Sequence, residues 1–279
     1  GSEMCIRDRT IILTLLCSCS DYLDIVPDNV TTLDIVFNNR NTAERYLANC
    51  YHFVPDHGSV KRIPGMGAGH ECWFYTTNDS HFDNEVSFYI ARGLQNIDAP
   101  YANYWDGEGG SNLPMFRAIR ECNIFLDYVR DQHKVNDLTD SERKRWIAEV
   151  NVLKAYYHFF LFEHYGPIPI VDKALPVSTD PEGVKVTRMP VDQIVDYMVK
   201  LIDDSYKDLP PVITMEATEM GRLTQPAALA LKAKILLWAA SPLFNGNKDY
   251  ANFRNEEGKP FINLSLIHIS EPTRRVVIS

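Results

Sequence analysis

The stretch TDSERKRWIAEVNVLKAYYHFFLFEHYG, residues 139–166, decides the fold class. It opens with Thr139 and Glu142 in capping-box spacing, and it ends at Gly166, which Pro167 follows. A run of this length with a start and a stop signal predicts a long α-helix. The apolar residues that recur at helical spacing, and that we expect to point inward, are Trp146, Val150, Leu153, Tyr157 and Phe160.

Four further segments show apolar residues at helical spacing. In the first, Asn41 and Glu44 stand in positions like those of a capping box, which predicts the start of a helix. The last is apolar on nearly all sides, which favours a central position. Together they predict an all-α body joined by long irregular loops. The segments are residues 41–53, residues 113–130, a helix that begins at Pro190, and residues 226–240.

A long irregular stretch, residues 54–112, separates the first two of these helices. Loops of this length inside a compact domain are usually functional or disordered. This one is too rich in aromatic residues to be typical of a disordered segment. We therefore expect a functional loop.

Composition and charge exclude several classes of protein. The chain has 279 residues, of which 45% are hydrophobic and 23% charged, and its formal net charge is -9. No basic cluster suits a nucleic acid backbone, which requires grouped Lys and Arg. No apolar run reaches the 18 residues or more that indicate a membrane-spanning helix.

The two ends of the chain differ in sequence from the residues between them. SEMCIRDR, residues 2–9, and SLIHISEPTRR, residues 265–275, resemble translated sequencing-adapter sequence. We therefore expect residues 1–9 and 265–279 to be non-native, and we leave them out of the fold prediction.

The residues after this start resemble the end of a bacterial lipoprotein signal. TIILTLL, residues 10–16, is apolar but too short to span a bilayer. An aliphatic residue, small residues and a cysteine then follow, with Ser18 before Cys19. This order predicts that residues 10–18 are a signal remnant and that Cys19 is lipidated, which anchors a protein to a membrane without spanning it. The alternative is that Cys17 and Cys19 lie buried in an N-terminal helix.

Of the six cysteines, one lies in the non-native start and two lie in the signal region. The three that remain are Cys50, Cys72 and Cys122. They are too few for a disulfide framework, and at most one bridge can form. Cys50 and Cys122 both lie on apolar faces of predicted helices. We expect these two to be small core residues.

Four segments, in order, resemble the SusD/RagB family of outer-membrane lipoproteins. The third is the most specific, a helix that ends in an aromatic cluster and Tyr-Gly-x-x-Pro, although Lys154 stands where the family usually has Arg. The resemblance covers residues 19–264, the N-terminal part of a typical member, whose C-terminal part we expect to be missing. The segments are CSDYLD (19–24), YWDGEGGSNLPMFRAIRECNIFLD (104–127), AEVNVLKAYYHFFLFEHYGPIPIV (148–171) and GRLTQPAALALKAKILLWAASPLFNGN (221–247).

The resemblance implies a fold and a function. Members of this family form a tetratricopeptide-like scaffold of helical pairs, sit over a SusC-like TonB-dependent barrel and capture oligosaccharides for import. It therefore implies a lipid-anchored, surface-exposed outer-membrane protein that binds glycan without catalysis and without a cofactor.

The long loop contains the residue types that a neutral sugar requires. Sugars offer hydroxyl groups for hydrogen bonds and flat C–H faces that settle on aromatic rings, each well-placed ring adding on the order of 1 kcal/mol. The alternative is that these rings hold the loop against the helices. The candidate ligand-binding residues are Trp73, Tyr75, Asn78, Asp79, Tyr101 and Trp105.

Two other functions are open at this point. The helices could form a scaffold for a protein or peptide partner, with a loop that touches no sugar. Asp83 and Glu85 have a spacing that a glycosidase carboxylate pair could use, so a surface glycosidase is the third hypothesis. A metal site could be assembled from His70, Cys72, His81 and Asp83, but these residues lack the paired spacing of a zinc motif, and we expect no metal site.

Overall fold

A computed structural model of the chain describes residues 33–58, 65, 68–69, 86–107, 113–175, 183–256 and 258–262. The chain divides into two units, Gly1–Val36 and Phe37–Ser279. In the first unit only the short helix α1, Leu33–Val36, is described. The predicted signal remnant and Cys19 lie outside the described residues.

All the helices named below lie in the second unit, and they are its main regular secondary structure in the described part. In that part no strand forms, and the one β-type pairing is an isolated antiparallel bridge between Arg254 and Pro260. The predicted all-α class is therefore confirmed. Its helices are α2 (Arg40–His52), α3 (Val86–Ala91), α4 (Met115–Arg130), α5 (Asp140–Tyr165), α6 (Val191–Asp203), α7 (Glu216–Glu219) and α8 (Gln225–Ala239), with short 3₁₀ turns at Tyr206–Asp208 and Lys248–Tyr250.

Helices α4 and α5 form an antiparallel pair. At one end, Arg143 in the first turn of α5 donates a 2.6 Å hydrogen bond to the carbonyl oxygen of Val129 in the last turn of α4. At the other end, Phe116 of α4 and Tyr165 of α5 both contact the ring of Trp105. The buried guanidinium of Arg143 also binds three carbonyl groups of the connecting loop, which fixes the turn between the two helices.

Helix α5 is the centre of this unit. It packs against α2, α4, α6 and α8. The capping box of Thr139 and Glu142 is present, and Gly166 ends the helix with a φ of 68°. The five side chains predicted to point inward are all buried. The sequence prediction for this helix is confirmed at both ends and along its face.

Two helix predictions need correction. Helix α2 begins two residues earlier than predicted, because Asn39 is its N-cap and accepts a 3.1 Å hydrogen bond from the backbone N–H of Thr42. Asn41 lies inside the first turn. Helix α8 is not central in the described part of the unit, since Leu229 is 38% exposed and Leu237 59% exposed.

The long loop between α2 and α4 is not wholly irregular. Its described portion contains the six-residue helix α3 and a series of turns that run to Gly107. Val86 and Phe88 bury one side of α3. The loop thus carries a small folded element that positions the residues before α4.

Candidate functional site

The structure describes two of the six candidate ligand-binding residues. Tyr101 and Trp105 lie on residues 101–107, the segment just before α4. The other four candidates lie outside the described residues: Trp73, Tyr75, Asn78 and Asp79.

Tyr104 anchors this segment to the helices. Its ring is 1% exposed and packs edge-to-face against Phe160 and His164, with centroid distances of 4.9 and 4.8 Å. Its backbone N–H donates to the Tyr165 hydroxyl at 2.9 Å, and its carbonyl oxygen accepts from the N–H of Met115 at 3.0 Å. Both the backbone and the side chain of Tyr104 therefore hold this segment against the helices.

The turn after Trp105 requires glycine. Gly107 has a φ of 92°, a region that other residues adopt at a cost. A Cβ atom at this position would lie 2.8 Å from Cδ of Pro114. The Asn103 side chain closes the turn by donating to the carboxylate of Asp106 at 2.6 Å.

Trp105 is half-buried, with one part of its ring against the helices. The ring meets Phe116 at 4.6 Å and Tyr165 at 5.6 Å between centroids, both edge-to-face. The guanidinium of Arg188 lies over the ring at 6.0 Å, at the outer limit of a cation–π contact. Fixed in this way, the indole ring presents its remaining surface to solvent in one orientation.

Tyr101 forms a second aromatic surface. Its ring stacks on that of Tyr89 of α3, with centroids 4.7 Å apart and planes 14° apart. The side chain of Gln95 binds the Tyr101 backbone twice, accepting from its N–H at 2.7 Å and donating to its carbonyl oxygen at 2.9 Å. Both rings are half-buried, so the pair offers ring surface to solvent.

The ionisable groups beneath this segment are neutral at ordinary pH. Burial raises the pKa of the Tyr104 phenol. Burial also raises the pKa of Tyr165, against an opposing effect of the N–H groups that its hydroxyl accepts from. Burial lowers the pKa of His164. The segment offers a ligand ring faces and hydrogen-bonding groups, among them the exposed carboxylate of Asp106, a combination that suits sugars.

A metal site finds no support in the described residues. No group of three His, Cys, Asp or Glu side chains there is placed to hold a metal ion. The residues considered for such a site in the loop, and the pair Asp83 and Glu85, lie outside the described residues.

The sequence did not point to several residues that shape this segment. Gln95, Tyr89 and Arg188 reach Tyr101 or Trp105 from separate parts of the chain. Only Phe116 had a sequence signal, as a member of the apolar stripe of α4. The spacing of aromatic residues within the loop gave no indication of the other three contacts.

A second concave region lies between α2, α5 and α8. Two adjoining cavities, of about 400 and 340 Å³, share Tyr51 and Gly221 in their walls. Below them the buried carboxylate of Glu149 accepts hydrogen bonds from the Tyr51 hydroxyl at 2.8 Å and from Arg145 and Arg222 at 2.9 Å each. This network joins α2, α5 and the turn before α8 and stabilises the floor of the region.

Comparison with models of protein families shows which family the chain belongs to. The model of a SusD-like family, described as starch-binding and associating with the outer membrane, matches residues 21–237. The chain belongs to the SusD-like family. In the described residues no helix is both long enough and apolar enough to cross a bilayer.

Solved SusD-like structures share the fold. The protein named BT4246 is 26% identical with a TM-score of 0.68, over 86% of this chain and 39% of its own. A laminarin-binding SusD-like protein is 18% identical with a TM-score of 0.56, over 73% of this chain and 41% of its own. The SusD-like protein BF3747 from Bacteroides fragilis is 17% identical with a TM-score of 0.56, over 88% of this chain and 40% of its own.

These comparisons confirm the predicted family and the tetratricopeptide-like helical scaffold. The chain spans about two fifths of the length of each of these three structures. None of the curated proteins matches the chain significantly.

Proposed function

We propose that this chain is the N-terminal part of a lipoprotein that binds oligosaccharides at the outer membrane and passes them to a SusC-like TonB-dependent barrel. In this proposal residues 19–264 are the native mature region, Cys19 carries the lipid and the protein faces the cell exterior. The observation that carries the proposal is the match of residues 21–237 to a family described as starch-binding. The laminarin-binding relative of the same fold supports a glycan ligand.

The geometry of residues 101–107 suits this role. The Trp105 ring is oriented by two helices, and the Tyr101 ring by Tyr89 and Gln95, so neither needs to be ordered when a ligand arrives. Such preorganisation lowers the entropic cost of binding. Two ring contacts and a few hydrogen bonds would give dissociation constants of roughly millimolar to micromolar. We propose that Trp73, Tyr75, Asn78 and Asp79 add to the same site.

We propose that the bound glycan is not cleaved. The described part of the site offers the ring faces of Tyr101 and Trp105, and the family is described as starch-binding. The pair Asp83 and Glu85 is the one feature that suggests hydrolysis. The formation of new reducing ends during incubation with a bound polysaccharide would overturn this part of the proposal.

Affinity electrophoresis against a panel of polysaccharides tests the proposal. The lipid-free chain and its Trp105→Ala variant would run through gels that contain laminarin, starch, pectin or a host glycan. We expect retardation in one class of gel and weaker retardation of the variant. Migration that is unchanged in every gel, with a folded protein, would contradict glycan binding by this chain.

A helical scaffold for a protein partner is the second candidate. The observation that favours it is the contact of Trp105 with Phe116 and Tyr165, which gives this ring a structural role. A scaffold predicts that Trp105→Ala lowers the free energy of unfolding and that no gel retards either form. Glycan binding predicts that one gel separates the two forms.

A further inference from the structure

Two cysteines face each other where α2 meets α4. Cys50 lies in the last turn of α2 and Cys122 near the middle of α4. Both are free thiols, and both side chains are completely buried. Helices α2 and α4 pack against each other there, and the Cys122 side chain lies near enough to Cys50 to raise the pKa of the Cys50 thiol.

Contacts on both sides fix this arrangement. One turn before Cys50, the hydroxyl of Tyr46 donates a 2.5 Å hydrogen bond to Glu121, the residue that precedes Cys122. From α5, the Tyr157 hydroxyl donates to the carbonyl oxygen of Cys50 at 2.5 Å. The approach of the two thiols therefore follows from the register of three packed helices and not from a loop.

We propose that Cys50 and Cys122 form a disulfide bond that joins α2 to α4 in the exported protein. The chain belongs to a family that associates with the outer membrane. A protein on its way there folds in an oxidising compartment, where neighbouring thiols are converted to disulfides. The inference rests on this association and is independent of what ligand the protein binds.

The oxidant is a disulfide of the thiol–disulfide oxidoreductase class. A thiolate of Cys50 or Cys122 attacks one sulfur of that disulfide, which forms a mixed disulfide and releases one thiol of the oxidant. The second cysteine then attacks the mixed disulfide, forms the Cys50–Cys122 bond and releases the other thiol. The two cysteines lose two electrons and two protons, and the oxidant gains them as its two thiols.

The bond has to form before the helices close. Thiolates carry out this exchange, and the nearby Cys122 side chain together with burial raises the pKa of the Cys50 thiol in the folded chain. No oxidant reaches a completely buried sulfur atom. A chain that folds in the reduced state therefore stays reduced, and a chain that folds in the presence of the oxidant is cross-linked.

The cross-link would stabilise the fold by restricting the unfolded chain. It closes a loop of roughly 70 residues, and the entropy that closure removes from the unfolded chain grows slowly with loop length. For a chain of this length the melting temperature of the oxidised form should exceed that of the reduced form by roughly 5–15 °C.

Peptide mapping tests the proposal. The full chain would be produced once with export to the periplasm and once in the cytoplasm, its free thiols alkylated during denaturation, and the digest analysed without reductant. We expect the exported chain to yield one peptide pair joined through Cys50 and Cys122, and the cytoplasmic chain to yield both peptides alkylated. Alkylated Cys50 and Cys122 in the exported chain, or a bond from either to another cysteine, would overturn the proposal.

Refolding provides a second measurement that does not depend on export. The reduced, denatured chain would be refolded with oxidised and reduced glutathione, and its melting temperature measured with and without later reduction under denaturing conditions. We expect a difference for the native sequence and none for Cys122→Ala, which keeps Cys50 but cannot form the bond. Equal melting temperatures of the oxidised and reduced native chains, or a difference that persists in Cys122→Ala, would refute it.

Discussion

The Nζ atom of Lys154 lies 2.8 Å from a carboxylate oxygen of Asp172, and the lysine side chain is only 2% exposed. The same nitrogen donates to the backbone carbonyl oxygen of Asp172 at 2.8 Å. From α6, the Tyr197 hydroxyl donates to the Asp172 carboxylate at 2.8 Å. Lys154 thus ties the segment after α5 to the centre of α5.

Removal of the carboxylate should cost more than removal of the lysine. Burial lowers the pKa of Lys154, although Asp172 opposes this effect, so Asp172→Asn leaves a buried ammonium group without its counter-charge. We expect Asp172→Asn to lower the free energy of unfolding by about 1–3 kcal/mol, since the Asp172 carboxylate itself is largely solvated. Lys154→Met should cost less, because an exposed aspartate remains hydrated. Urea unfolding of both variants would check the order, and a larger cost for Lys154→Met would contradict it.

Acid should destabilise the protein through His158. Burial lowers the pKa of this fully buried side chain from 6.5 to about 4. The unfolded chain binds the proton below pH 6.5 and the folded chain does not until about pH 4, so stability falls as the pH drops through this window. The loss due to His158 should be about 2 kcal/mol between neutral pH and about pH 5.

Urea unfolding at the two pH values measures this loss. His158→Gln should have a smaller difference between the two pH values than the native sequence. His133→Gln is the matched control, because His133 is exposed and its replacement should leave the difference unchanged. An identical pH dependence in all three proteins would rule out His158 as its source.

Glu149 should be among the most costly charges to neutralise. Its side chain is 0% exposed and binds two arginines and the Tyr51 hydroxyl. Glu149→Gln removes the charge that both arginines face, and we expect a loss of about 3–5 kcal/mol in the free energy of unfolding. Glu44→Gln, at a solvent-exposed pair with Arg40, should cost below about 1 kcal/mol. Similar costs in thermal or urea unfolding would show that burial of the network contributes nothing.

Gly107 should tolerate a methyl group poorly. Gly107→Ala combines a φ of 92° with a contact of 2.8 Å to Pro114. Gly221→Ala is a matched control, because Gly221 has a φ of 90° and no atom within 4 Å of the added Cβ. We expect Gly107→Ala to be the less stable variant by about 1–3 kcal/mol, with a changed Trp fluorescence spectrum as Trp105 moves. Equal stability would mean that the turn relaxes without strain.

The sequence predicted the helices whose signals are local. Helix α5 carries a capping box, a terminal glycine and a regular apolar face, and each of these acts within a few residues. The start of α2 was misplaced because Asn39 and Asn41 are both competent N-caps. Tertiary contacts decide between them, since the N–H of Arg40 donates to Asp137 at 2.7 Å and its guanidinium binds Glu142 at 2.9 Å.

The remaining features depend on contacts between distant parts of the chain. Composition showed that α8 is apolar, but the exposure of Leu229 and Leu237 depends on which elements lie against it. The aromatic composition of the loop pointed to Tyr101 and Trp105. Their orientation depends on Tyr89 and Arg188, which no spacing rule connects to them.

We propose that this chain binds glycan through the aromatic rings of residues 101–107. The most direct test is a calorimetric titration of a glycan from the panel into the native chain, Trp105→Ala and Tyr206→Ala. Tyr206 is a matched control, because its 3₁₀ turn meets α5 near Asn151, about 20 Å along the helix from the Trp105 contact at Tyr165.

We predict that the native chain and Tyr206→Ala bind with the same dissociation constant and that Trp105→Ala binds about tenfold or more weakly, equivalent to roughly 1.4 kcal/mol. Equal affinity of all three folded proteins would contradict the assignment of the site to this segment. An absence of binding heat from the native chain with every glycan would contradict the proposed function.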